Sequence, residues 1–110
     1  MIYIYCMDIY SILDKCSGFQ WDKGNSQKSL LKHRVTEGEA EQVFLNEPLL
    51  LLEDEKHSTQ EDRFWAFGYT DQGRHLFIVF TIREDLARVI SARNMNKKEK
   101  EAYEKFKENT

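Results

Sequence analysis

The chain has 110 residues, of which 41% are hydrophobic and 32% charged, with a formal net charge of −3. That length supports one modest core and excludes two domains of ordinary size, and the composition is that of a folded globular protein rather than a low-complexity one. The longest apolar run, "PLLLL", is far short of the ~20 residues of a membrane helix, and the negative net charge argues against a whole-molecule attraction to nucleic acid.

The apolar opening "MIYIYC" lacks the basic region and small-residue cleavage site of a signal peptide. Met7 offers a second start, so residues 1–6 are expected to be an N-terminal extension without fixed structure ahead of a single domain, 7–110. Cys6 and Cys16, ten residues apart, form neither a CxxC pair nor a disulfide framework. The expected setting is cytoplasmic, with reduced thiols.

"MDIYSILDK" carries Ile9, Ile12 and Leu13 at helical spacing, and Gly18 in "CSGFQWD" breaks that helix into a short extended piece. A second helix is predicted from Asn25 or Ser26 to about His33, anchored by Leu30 and Leu31. "TEGEAEQVFL" opens on Thr36 with Glu39 three residues on, the signature of a capping box, and would bury Ala40, Val43 and Phe44. Pro48 separates it from the strand "PLLLLED", which leads into the polar loop "EKHSTQED". "RFWAFGYT" and "RHLFIVFTIR" read as two strands joined at "DQG", where Gly73 supplies the positive φ of a tight hairpin. Alternation places Arg63, Trp65, Phe67 and Tyr69 on one face of the first and Leu76, Ile78, Phe80 and Ile82 on one face of the second. "LARVISAR" follows as a fourth strand. Asn96 and Glu99 form another capping box, opening a helix that would bury Ala102, Tyr103 and Phe106. The expected fold class is α+β: N-terminal helices, a four-stranded antiparallel sheet and a C-terminal helix, with the helices on one side of the sheet.

Charge is unevenly spread. Residues 19–34 hold four basic and one acidic side chain, residues 36–62 one basic and nine acidic, and residues 63–110 ten basic and seven acidic. If the fold joins the two basic segments, a local anion site can exist on an acidic protein. The chain holds no P-loop, dinucleotide fingerprint, zinc spacing or nucleophile elbow, and "DEKH" at 54–57 reads as a charged surface turn rather than a metal site. Neither a metal nor a cofactor is expected.

Arg63, Arg83 and Arg93 stand at or near strand ends. Converging guanidinium groups suit bidentate phosphate contacts and the charge of a phosphorane-like transition state; snorkelling or salt-bridged surface arginines explain the same positions. Arg93 reaches the rim shared by the other two only if a connection or bulge in the last strand permits. Lys32 and His33 complement the negative end of a helix, or His33 passes a proton in RNA cleavage. His57 and His75 have weaker claims.

The segments "GFQWDKGNSQKSLLKHRVTEGEAEQVF", "DEKHSTQEDRFWAFG", "RHLFIVFTIR" and "RVISARNMNKKEKEAY", in this order, resemble the BrnT toxins of bacterial type II toxin–antitoxin systems over about residues 16–104. The resemblance implies a RelE/ParE-like fold and a metal-independent endoribonuclease that arrests translation by attack of a ribose 2′-hydroxyl on the adjacent phosphate. It implies a BrnA-like ribbon-helix-helix antitoxin as partner, with operator DNA reached only through the complex. Carried over by motif, Arg63, Arg83 and Arg93 would hold the scissile phosphate and His33 would carry the proton, with Lys32, Ser91, Glu99 and Tyr103 as RNA contacts. Arg34 replaces the family's glycine after "KH", which predicts a helix end without a left-handed cap. Ser29 stands where many members have asparagine. The acidic pI, about 5.6, keeps an alternative open: an inactive toxin homologue retained to bind an antitoxin and tune its operon.

Overall fold

The structure, a computed structural model, describes residues 9–54, 56 and 61–110. The expected extension at 1–6 and the loop histidine His57 lie outside these residues. Among the described residues, four helices, α1 (9–14), α2 (Lys28–His33), α3 (Glu37–Leu45) and α4 (Lys97–Glu108), accompany five strands. The strands are β1 (Gly18–Gln20), β2 (Leu50–Glu53), β3 (Arg63–Tyr69), β4 (His75–Arg83) and β5 (Leu86–Asn94).

The sheet runs β1-β5-β4-β3-β2. Its four longer strands are antiparallel neighbours, as their short connections require. The expectation of a four-stranded, wholly antiparallel sheet is corrected by β1, which joins β5 in parallel with Gly18 opposite Leu86 and Gln20 opposite Arg88. Three residues are too few to show a period of two, so this strand carries no sequence signature beyond "an extended piece". Its place is set by a partner 68 residues away: the Ser17 N–H donates to the Asp85 carbonyl at 2.8 Å.

The two faces of the sheet carry separate clusters. On one, Phe64, Ala66, Leu76, Ile78, Phe80, Val89 and Ala92 pack against Ile9 of α1, Val35, and Ala40 and Val43 of α3. Gly68 is required here, because a Cβ would lie 2.9 Å from Val43 Cγ1. On the other, Phe67 and Phe77 surround Tyr103 of α4, with Trp65, Val79 and Phe106 packed around them. Helices therefore cover both faces, not one. The alternation expected for β3 and β4 is the alternation observed.

Both predicted capping boxes form: the Thr36 hydroxyl accepts from the Glu39 N–H at 3.1 Å and the Asn96 side chain from the Glu99 N–H at 2.8 Å, each glutamate answering the cap's own N–H. The hairpin turns on Gly73 at φ 87°.

The reading of α2 needs two corrections. Leu30 and Leu31 do not anchor it; they are 43% and 79% exposed, and the residue α2 buries is Ser29. Beyond Gln20 the free edge of β5 has no strand beside it, and this segment supplies its hydrogen bonds from side chains. The Ser29 hydroxyl accepts from the Ala92 N–H at 2.8 Å, and the Asn25 amide donates to the Val89 and Gln20 carbonyls at 2.9 Å each. A helix held at an edge by polar contacts needs no apolar stripe. Arg34, secondly, does adopt the left-handed cap (φ 56°, ψ 39°) without being glycine. The Arg74 guanidinium holds that turn closed, donating to the His33 and Arg34 carbonyls at 3.1 and 2.9 Å, to Glu39 at 3.0 Å and to the Asn94 side chain at 2.7 Å.

Candidate functional site

β4 and β5 start in simple register at their turn, with Arg83 opposite Leu86 and Phe80 opposite Val89, but the next pair is Val79 with Ser91. Ile90 is therefore an extra residue in β5, a β-bulge. Continued without it, the pairing would set Arg93 opposite Leu76, on the face sealed by α1 and α3. With it, Arg93 lies opposite Phe77 and Ser91 opposite Val79, on the face of Arg63 and Trp65, while Ala92 turns to the core. The bulge brings Arg93 to the face of Arg63 and Arg83 but not to the rim those two share; it stands toward the other end of β4.

α4 covers only part of that second face. What remains is an open groove of about 520 Å³. Trp65, Phe67, Phe77, Val79 and Ile90 form its apolar floor. Lys28, Asp54, Arg63, Ser91, Arg93 and Glu99 supply its polar lining. Arg63 pairs with Thr81 and Arg93 with Phe77, four residues apart along β4 or roughly 14 Å at ~3.4 Å per residue. The two arginines thus bracket the groove from opposite ends.

Arg93 is held in place. Its two terminal nitrogens bond both oxygens of Glu99 at 2.8 and 2.9 Å, one of them also donates to the Asn94 carbonyl, and its guanidinium carbon sits 4.5 Å from the centre of the Phe77 ring. A bidentate pair over an aromatic face is the geometry that guanidinium favours. The hydrogen bonds from Arg93 hold the Glu99 carboxyl below its usual range against the opposing effect of burial, and Glu99 in turn raises Arg93. Asp54 is buried, and its N–H donates to the Arg63 carbonyl at 2.9 Å.

The remaining residues singled out from the sequence lie elsewhere. Arg83 is on the face of Arg63, two residues beyond the Thr81 with which Arg63 pairs, so these two are neighbours as expected, but it is outside the groove lining and paired with Glu61 at 3.2 Å. Lys32 and His33 end α2 and do not line the groove. Tyr103 is fully buried; its hydroxyl donates to the Pro48 carbonyl and burial pushes its phenol up to about 12. Arg63, Ser91, Arg93 and Glu99 line one groove, and Lys28, Trp65 and Ile90 join them without having been singled out, as does Asp54, which was read as part of a charged surface turn and is instead buried. Trp65 was legible by its strand face. Lys28 was not, because its place follows from the docking of α2 on the β5 edge.

Residues 21–99 match the family described as ribonuclease toxin, BrnT, of type II toxin–antitoxin systems. The chain belongs to this family. The matched span includes every residue of the groove lining, from Lys28 to Glu99. Membership of a type II system implies an antitoxin as partner. No curated protein matches the chain. Among the described residues, no helix is long and apolar enough to cross a membrane.

Proposed function

We propose that this BrnT-family protein is a metal-independent endoribonuclease of RelE/ParE-like fold whose reaction takes place in the groove between Arg63 and Arg93, and that a ribbon-helix-helix antitoxin of BrnA type neutralises it. One observation carries the reading: the bulge at Ile90 brings Arg93 and Ser91 to the face of Arg63, so that cations stand at both ends of an aromatic groove. In this reading the arginines hold the RNA backbone at the two ends of the groove, and the guanidinium nearer the scissile phosphate offsets the charge that develops as the 2′-hydroxyl attacks. Ser91 is placed to donate a hydrogen bond to a phosphate oxygen. The attack forms a 2′,3′-cyclic phosphate as the bond from phosphorus to the 5′-oxygen breaks, so one group must accept the 2′-hydroxyl proton and another supply a proton to the departing 5′-oxygen. His33 was the expectation, but Asp54 and Glu99 are the carboxylates that line the groove, and Glu99 is bound to Arg93. His33→Ala and Asp54→Asn, assayed side by side for RNA cleavage, assign this role.

The direct test is induction of the protein alone in bacteria, beside an Arg63→Ala/Arg93→Ala variant, with growth and primer-extension mapping of cellular RNA. Arrest with new RNA ends, lost in the variant, supports the reading. Arg83→Ala, outside the groove, should retain most of the activity. A second reading, a non-catalytic module that only binds its antitoxin, is favoured by the neutralisation of Arg93 by Glu99 and by the acidic whole. Normal growth and intact RNA with soluble, folded protein would select it.

A further inference from the structure

We propose that the groove is built for an unpaired nucleotide, with its base stacked on Trp65 and its backbone phosphate held by Lys28; this rests on the ribonuclease reading and narrows its substrate to single-stranded RNA. The aromatic residues of the floor differ in what they can offer. Phe67 and Phe77 are buried and pack on each other with ring centres 4.9 Å apart, and the Arg93 guanidinium covers Phe77. Trp65 stays partly exposed in the groove, while edge contacts to Phe67 (6.4 Å, 89°) and Phe77 (5.7 Å, 72°) fix its ring. A fixed, half-open indole is a stacking platform that orders little on binding.

The cations of the groove differ in the same way. Arg93 is committed to Glu99, whereas Lys28 has no carboxylate within ion-pair distance among the described residues and lines the groove from the α2 side. Its ammonium is a point charge on a flexible stem, suited to a phosphate whose orientation is set elsewhere. The size of the groove, about 520 Å³, is that of a small-ligand site. In an A-form duplex the bases are stacked within the helix and cannot enter such a space; in single strands they can turn out onto an aromatic side chain.

The probe is a fluorescently labelled 2′-fluoro RNA octamer, which cannot undergo 2′-hydroxyl attack, used single-stranded and annealed to its complement, with affinity read by anisotropy over a salt series. The single strand is expected to bind at least ten-fold tighter than the duplex. Trp65→Leu should weaken single-strand binding roughly ten-fold with an unchanged salt slope, and Trp65→Phe should recover most of it. Lys28→Gln should lower the slope of log affinity against log salt by about 0.7, the value for one phosphate contact on a single strand. Thermal midpoints check that each variant is folded. Equal affinity for the duplex, or Trp65→Leu binding like the parent while Arg63→Ala/Arg93→Ala binds nothing, overturns the stacking site and leaves the ribonuclease reading standing. If the folded parent neither binds nor cleaves any RNA, both fall.

Discussion

The two faces of the sheet are built from the same strands and end in opposite states. Toward α1 and α3, residues such as Ala66, Leu76, Ile78 and Phe80 are wholly buried. Toward α4, Trp65 and Val79 keep part of their surface open, and charged side chains stand at the margin. A sealed face serves stability, and a face left half covered by a single helix retains room for a ligand. The charged margin of the open face depends on the bulge, which leaves Ile90 unpaired so that Ser91 and Arg93 emerge on that side.

Inserting one alanine between Ser91 and Ala92 attacks this division directly. With Ser91 still opposite Val79, Arg93 would fall opposite Leu76, in the apolar layer and away from Glu99, and an unpaired buried charge costs about 3–5 kcal/mol. Urea unfolding should show a loss of that order together with loss of RNA cleavage; a parent-like midpoint would mean that strand register does not set the side of Arg93. Next come matched truncations of neighbours on β4. Phe80→Ala, on the sealed face, should cost about 3–5 kcal/mol. Val79→Ala, on the open face, should cost about 1 kcal/mol, because its methyl groups are only partly removed from water. Similar losses at the two positions would contradict the asymmetry.

Arg34→Gly sharpens the account of the α2 end. Relief of the left-handed strain, less the entropy that glycine loses on folding, should stabilise the protein by about 0.5–1 kcal/mol. Calorimetry of the two proteins measures it, and destabilisation would show that the Arg34 side chain contributes more than its backbone costs.

The smallest effect concerns acid. Glu99 is held below its usual value chiefly by Arg93. Its contribution to stability is therefore complete above the ordinary carboxyl value of about 4.3 and disappears as the pH falls through its lowered value in the folded protein. The stability gap between the parent and Glu99→Gln should close over that acid window and be constant near neutral pH. A gap that persists below the window would show that the mutation acts through packing rather than charge.

Much of the scaffold was written locally. Thr36 with Glu39 and Asn96 with Glu99 predicted two helix starts, Gly73 predicted the hairpin, and alternation in "RFWAFGYT" and "RHLFIVFTIR" assigned side chains to faces, because each pattern depends on neighbours within a few residues. The family was legible too, in motifs that run from "GFQWD" to "KKEKEAY". What alternation could not supply was the side of Arg93, since a bulge resets the period and is defined by the partner strand. The parallel pairing of β1, the docking of α2 through Ser29, the entry of Lys28 into the groove and the separation of Arg93 from Arg63 and Arg83 likewise depend on contacts between residues distant in the chain. Local patterns specified most of the elements, the faces of β3 and β4 and the family; long-range contacts settled which charges share a groove, because only the register between strands and the edge where a helix docks bring such residues together.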